Sequence, residues 1–369
     1  MSKHYFLGQA SKYTRSHRLA HTFAIGRKKD SRALREFLAK KYGSDVDHTA
    51  LTKNGRSALA IALKSNLKEG SDIIINGFTC YAVIEAVKAA KMNPVFADID
   101  KETLHFNAKT LEQTLSKHKN VKGIIIQNTL GNPVDIKAIE KVAKKHDLMI
   151  FEDMAHATGV FYKDGREVGT VGVATALSFG KEKSIDTITG GAVILRNTNL
   201  PVIKAPAKTP KLAATFRARF YPLFGAIYRA LSYVKLEKIW MRFLLATKQV
   251  ERSADNKLDL TERPAHFVAK MALKQLKALP KNGQKPIRKF IFVKNRDELI
   301  KKLRKNGYFF DGEWFETPIA PERFYKKSNF NEEECPVATE VAKTIINIPT
   351  QYSESALKPA LKIIKEYEI

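Results

Sequence analysis

Three segments hold side chains whose types and spacing could do chemistry together. In 178–183 (SFGKEK), Lys183 follows an apolar run and precedes the pair Gly190-Gly191, which opens another. A lysine in a tight loop between two strands can enter a pocket at a sheet end. Its amine is a nucleophile when neighbours or desolvation lower its pKa. In 151–156 (FEDMAH), Asp153 closes a strand pattern, at the end where open α/β sheets bind ligands. An aspartate there can keep a cofactor ring nitrogen protonated, and His156, three residues on, can face the same site. In 54–59 (NGRSAL), glycine and small polar residues open a helical pattern, whose first N–H groups and positive dipole end can hold a phosphate. Each segment alone also has a plain reading. Asn54 or Ser57 can be an ordinary helix cap, Asp153 can cap the next helix, and Lys183 can be one more solvated lysine. A fourth stretch, 70–81 (GSDIIINGFTCY) with 94–100 (PVFADID), supplies a strand, a loop and a second strand. The loop aromatics Phe78 and Tyr81 can cover a flat ring or simply pack.

The elements that must position these residues alternate for about 150 residues. Short β-branched or apolar runs at 72–75, 94–97, 123–126, 148–151, 173–178 and 192–195 are strand patterns. Helical patterns lie between the earlier ones, at 57–65, 82–90, 108–117 and 136–145, and another, SRALREFLAKKYG, precedes them. This alternation predicts a mostly parallel α/β sheet. At 369 residues, two domains or three are expected. Residues 1–30 form a basic N-terminal arm without a clear period, 31–200 a large α/β domain, and 261–369 a smaller C-terminal domain with shorter apolar runs at 290–293 and 345–348. Between them, 201–260 is a basic amphipathic helical insert. Its first fifty residues hold ten Lys and Arg but one acid, Glu237. Phe216, Phe220, Phe224, Ile227, Leu231 and Val234 recur there at steps of three or four, with breaks expected at Pro222 and Gly225.

Apolar residues make up 44% and charged residues 28%, a balance that excludes a wholly disordered chain. Lys and Arg number 64 against 38 Asp and Glu, a formal net charge of +26 that favours polyanions: nucleic acid, anionic membrane or phosphorylated metabolites. Two cysteines, Cys80 and Cys335, exclude a disulfide scaffold and a cysteine-based zinc site, so no metal is expected. The N-terminus has no apolar core of signal-peptide length, and no window suits a spanning helix, so a cytoplasmic location is expected. No helix-turn-helix, zinc or single-strand-binding signature is present, and no nucleic-acid partner is expected.

In order and spacing these segments resemble the DegT/DnrJ/EryC1/StrS family of pyridoxal-phosphate-dependent sugar aminotransferases, over about 31–196 and again over about 262–369. KMNPVFADIDKETLHFN (91–107) resembles the family's strand and acidic turn. GNPVDIKAIEKVAKKHDLMIFEDMAHATG (131–159) is similar to its glycine–proline loop, helix, strand and aspartate. SFGKEKSIDTITGGAV (178–193) is similar to its cofactor-lysine loop, and ECPVATEVAKTIINIPT (334–350) to a segment ending in a Pro-Thr turn. The resemblance implies a three-layer fold-type I architecture, the 31–200 domain binding pyridoxal 5′-phosphate. It makes Lys183 the lysine of the internal aldimine, with Asp153 on the pyridinium nitrogen and His156 near the ring hydroxyl. Ser178 and the Gly55-Arg56-Ser57 turn would hold the phosphate, Arg56 standing where the family often has threonine. The implied reaction is a ping-pong transamination from an amino acid, usually L-glutamate, to a nucleotide-linked keto sugar. A homodimer with sites built from two chains is implied as well.

Two departures stand out. The family's stacking aromatic falls at or beside Cys80, which leaves Tyr81 or Phe78 for that role, or neither. The partner-subunit asparagine that holds the phosphate falls near Thr261, where there is none. The insert matches the family poorly. Trp240, Phe243 and Leu244 beside arginines and lysines make 212–247 a candidate for peripheral membrane contact, against packing on the subunit or a dimer partner. Other readings are a different reaction of the same cofactor (dehydration, desulfuration or aldol cleavage) and a polyanion- or membrane-binding protein.

Overall fold

The computed structural model describes residues 4–8, 14–250, 258–310 and 315–369. Parts of the arm (1–3, 9–13) and of the insert (251–257) therefore lie outside the described residues. The central sheet has seven strands: β1 (Thr49–Thr52), β2 (Asp72–Asn76), β3 (Asn93–Ala97), β4 (Val121–Ile126), β5 (Met149–Asp153), β6 (Ala174–Ser178) and β7 (Gly191–Leu195). They lie in the order β1-β7-β6-β5-β4-β2-β3. β7 runs antiparallel to both neighbours, and every other pairing is parallel. Six strands fall on the apolar runs of the sequence. β1 (TALT) is too short and too polar to announce itself.

Alternate residues of each strand feed opposite faces, as the two-residue strand period requires. Ile74, Ile124, Ile126 and Ile150 pack under α2 (Lys28–Lys41), α5 (Ala108–Lys117), α6 (Ile136–Lys145) and α9 (His266–Lys277). Ile73, Ile75, Ile125 and Phe151 pack under α3 (Gly55–Asn66), α4 (Tyr81–Ala89) and α11 (Pro336–Thr344). The result is three layers, helices covering both faces of one sheet. A separate apolar cluster, with Val293, Leu299, Leu303, Ile346, Leu357 and Ile364, joins α10 (Arg296–Lys305) and α12 (Glu354–Lys365) to an antiparallel pair, β8 (Arg288–Phe292) and β9 (Ile345–Pro349).

The described part of the arm is built into the fold. Tyr5–Phe6 pairs in parallel with Tyr308–Phe309, and the buried Arg288 donates to the carbonyls of Leu7 and Gly8 at 3.0 and 2.8 Å. Helix α1 (Arg15–Thr22) packs on the insert. The insert itself holds α7 (Leu212–Leu231) and α8 (Glu237–Ala246). The breaks expected at Pro222 and Gly225 are absent, and α7 runs through both. Proline removes the bond to the carbonyl four residues back, here that of Ala218. His21 on α1 occupies that carbonyl instead, its Nε2 3.0 Å from the oxygen.

Candidate functional site

At the carboxyl ends of β5 and β6 a cavity of about 620 Å³ opens, lined among others by Gly55, Arg56, Asp153, His156, Ser178 and Lys183. Asp153 and Ser178 are the last residues of their strands, and Lys183 lies in the loop between β6 and β7. Parallel strands end together there, so residues far apart in sequence meet.

Lys183 Nζ lies 3.0 Å from His156 Nε2. On the other side of the ring, His156 Nδ1 accepts the backbone N–H of Leu130 at 3.1 Å. That bond assigns the ring proton to Nε2, so Nε2–H can donate to Lys183 Nζ only when that amine is unprotonated. Burial, and after it the charges of Lys183 and Arg288, hold the imidazole well below its ordinary pKa, so it is neutral at physiological pH. The donor at Leu130 comes from a strained turn. Asn128 and Leu130 have φ of 47° and 59°, and Gly131 has φ of 93°. A Cβ on Gly131 would stand 2.9 Å from Pro286 Cα and 3.0 Å from the His156 carbonyl oxygen, so glycine is needed there. The glycine–proline loop of the sequence thus sets the histidine. Nothing in the residue types marked Leu130, since it acts through its backbone.

Asp153 accepts the N–H of Ala155 at 2.9 Å. Burial pushes its carboxyl above the ordinary range, opposed by that N–H and by the Lys183 charge. A carboxylate desolvated in this way is stabilised by a nearby cation.

Helix α3 begins at the cavity wall. A Cβ added to Gly55 would lie 2.6 Å from Ser178 Cβ, so only glycine lets the helix start approach the end of β6. The arrangement is a cradle of backbone N–H groups at a helix N-terminus with a hydroxyl beside it, which suits a phosphate. Ser57 is differently employed. Its N–H donates to Asn54 Oδ1 at 2.9 Å, and its Oγ–H lies between two acceptors, Asn54 Oδ1 at 2.9 Å and the Asp259 carbonyl at 3.1 Å. It is fully buried and does not line the cavity. The Arg56 guanidinium pairs with Glu85 on α4.

Tyr81 does not line the cavity either. Its ring stacks on Phe324, centroids 4.7 Å apart, and Phe78 is buried against Phe315 at 4.5 Å. Cys80 and Phe315 are at the wall in their place. Gln127, just past β4, and Thr129 also line the cavity; the sequence marks them only by their position after an apolar run. Thr261 turns onto Asp259 Oδ1, its N–H at 2.9 Å and its hydroxyl at 2.7 Å. Among the described residues no group of three or more His, Cys, Asp and Glu side chains is arranged to hold a metal ion.

A seven-stranded sheet of this order, with a lysine and an aspartate at its carboxyl ends, is the fold-type I architecture of pyridoxal-phosphate enzymes. Residues 19–205 match the DegT/DnrJ/EryC1/StrS aminotransferase family, and the chain belongs to that family. Its members include pyridoxal-phosphate-dependent aminotransferases. The chain is similar to GDP-perosamine synthase of Escherichia coli O157:H7, 33% identical over 156 residues, 42% of each chain. It spans 34% and 42% of the length of two curated relatives. The fold is shared with a DegT DnrJ EryC1 StrS aminotransferase of Brucella abortus (TM-score 0.66, 19% identity, 95% of this chain and 93% of the other). It is also shared with a Streptococcus pneumoniae chain solved in a PLP form (TM-score 0.66, 16% identity, 98% of both chains).

Proposed function

We propose that this protein is a pyridoxal-phosphate-dependent transaminase that moves an amino group from an amino acid, L-glutamate, to a nucleotide-linked keto sugar. The observation that carries the reading is the contact between Lys183 Nζ and His156 Nε2, in a cavity that also holds Asp153 and the Gly55–Ser178 cradle. When bound, the cofactor supplies the electron sink. The residues fit it by their chemistry. Gly55, the Arg56 backbone and Ser178 suit the phosphate, Asp153 suits a protonated ring nitrogen, and neutral His156 is a hydrogen-bond partner for a ring hydroxyl. Lys183 would hold the cofactor through Nζ and, when its amine is free, would take up and return the proton of the donor's α-carbon as general base and acid. Ser57 acts through the helix cap, and Tyr81 holds the α4 start rather than covering the ring.

The acceptor class is supported by the cationic lining and by the relation to GDP-perosamine synthase. A homodimer is proposed on the resemblance alone, and sedimentation of the purified protein tests it. The absorbance spectrum of the protein with pyridoxal phosphate tests the activity. A visible band that L-glutamate removes and that Lys183→Ala lacks is expected. A wild type with no such band would end this reading.

A second reading concerns location and rests on exposed apolar residues of the insert. Leu212, Phe216, Leu223, Ile239 and Phe243 are exposed, with Arg242 and Lys238 beside the last two. Exposed apolar and aromatic residues with basic neighbours suit an anionic membrane surface. Trp240 and Leu244 are not among them. Leu244 is buried, and Trp240 donates its Nε1–H to the Phe224 carbonyl at 3.2 Å. Among the described residues no helix is long and apolar enough to cross a membrane. Flotation with phosphatidylglycerol vesicles is expected to fail for Ile239→Glu/Phe243→Glu; unchanged flotation of that variant would remove this reading.

A further inference from the structure

The Leu130 N–H sets the tautomer of His156, so whatever fixes Leu130 fixes the histidine that meets Lys183. The turn that carries it needs support. Asn128 and Leu130 both have positive φ, 47° and 59°, and residues other than glycine keep such a backbone only where their surroundings impose it.

Asn128 supplies that support. It is fully buried, and both ends of its amide are engaged. Oδ1 accepts the N–H of Val134 at 3.0 Å, and Nδ2 donates to the Tyr162 hydroxyl at 3.3 Å. The Asn128 carbonyl accepts the N–H of Gly131 at 2.9 Å. One residue thus ties the start of the turn to its end and to the chain beyond.

The direction of these bonds is decided at the far end. Glu152 lies on β5 one residue before Asp153, so the two side chains point to opposite faces of the sheet. Its Oε1 accepts the N–H of Gly169 at 2.7 Å, and its Oε2 those of Val171 and Gly172, both at 2.8 Å. Arg196 Nη2 donates to Oε2 as well, at 3.2 Å. Surrounded by donors, Glu152 is an acceptor. Tyr162 therefore gives its proton to Oε1 at 2.8 Å, and its oxygen is left to accept from Asn128. Burial, and after it the Glu152 charge, hold that phenol well above its ordinary pKa, which keeps the donor in place. The Asn128 amide then has one orientation, Nδ2 toward Tyr162 and Oδ1 toward Val134.

The chain starts beside Asp153 on the face away from the cavity and returns to the cavity through Leu130 and His156. The tautomer at its end decides what Lys183 meets. A proton on Nε2 offers Nζ a donor. A proton on Nδ1 would offer Nζ a lone pair and set N–H against the N–H of Leu130.

Resting on the transaminase reading, we infer that Asn128 and Tyr162 are positioning residues of the site: anchored on Glu152, they fix the turn whose Leu130 N–H selects the His156 tautomer facing Lys183.

Two measurements test this. Asn128→Gly removes the side chain while glycine keeps a positive φ without strain, and Tyr162→Phe removes one oxygen. In the full chain without cofactor, nitrogen-15 NMR of the histidine rings reads the tautomer, with His156→Gln identifying the His156 signals. The wild type should show the proton on Nε2 alone, and both variants a second form with the proton on Nδ1. Tyr42→Phe removes a hydroxyl of the same apolar cluster outside the chain and should match the wild type. With pyridoxal phosphate bound, Asn128→Gly should slow the removal of the visible band by L-glutamate about tenfold. In the His156→Leu background it should slow it less than about twofold, because its effect passes through the ring. Equal slowing in both backgrounds, or a wild-type tautomer in both variants, would overturn the inference. If Asn128→Gly does not fold, Tyr162→Phe carries the same two readouts. Failure of the transaminase reading has a different signature: a wild type whose band ignores L-glutamate, whatever tautomer the rings show.

Discussion

His21 Nε2 lies 3.0 Å from the carbonyl oxygen of Ala218, the one carbonyl that Pro222 leaves without a helical donor. A residue of the N-terminal arm thus supplies the bond that a proline in the insert removes. Burial lowers the His21 pKa, with Ala218 opposing, so the ring is a neutral donor at neutral pH. His21→Ala should cost about 1–3 kcal/mol, the range for a buried carbonyl left unpaired. Pro222→Ala restores the helical donor, so His21→Ala should cost clearly less in that background. A double-mutant cycle by urea unfolding reads the coupling, and strict additivity would refute it.

Acid should destabilise the fold through His105. Its Nε2 accepts the Gln127 N–H at 3.0 Å, and its Nδ1 faces the Phe106 carbonyl at 3.2 Å, an arrangement only the neutral ring satisfies. Burial drives its pKa from 6.5 down to about 4. The folded state therefore binds fewer protons than the unfolded one between those values. The stabilisation is fully present above pH 6.5 and is lost as pH falls toward 4, to the extent of about 3 kcal/mol. Urea midpoints between pH 7.5 and pH 4.5 measure it. His105→Phe should be less stable throughout and have a flatter profile; an unchanged slope would assign the acid sensitivity elsewhere.

Gly55→Ala should lower cofactor affinity about tenfold and stability by about 1–3 kcal/mol, because the new methyl meets Ser178 Cβ at 2.6 Å and Oγ at 2.9 Å. Adding Ser178→Gly removes the Cβ and Oγ contacts but leaves Ser178 Cα at 3.1 Å, so it should recover part of the stability. It should not recover affinity, since the hydroxyl is gone. Thermal unfolding and spectroscopic titration with pyridoxal phosphate separate the two effects.

His156→Leu removes both the acceptor for Leu130 N–H and the partner of Lys183. The cofactor should still load, while the rate at which L-glutamate removes the visible band should fall about 100-fold, the scale of a misplaced catalytic group. His156→Gln keeps one donor and one acceptor and should stay within about tenfold. Equal losses in the two variants would make His156 a packing residue only.

Much of this was legible in the chain itself. The apolar runs gave six of seven central strands, because strands buried on both faces are mostly apolar. The order of Gly55, Asp153, His156, Ser178 and Lys183 carried the family. Backbone and packing hid the rest. Tyr81 has the right type beside the right position, yet its ring turned to Phe324, a partner more than two hundred residues away. Ser57 has the right type too, but a helix cap spends its donors on Asn54.

By itself, then, the sequence determined the layered α/β architecture, the lysine and aspartate proposed for the site and the cationic character of the chain, since periodicity and side-chain chemistry are local properties. Only the tertiary structure decided that Leu130 orients His156, and that helix α7 runs unbroken through Pro222 to wall the cavity. The reason is the same in both cases. A backbone N–H or a carbonyl carries no letter in the sequence, and its partner is chosen only when distant segments pack.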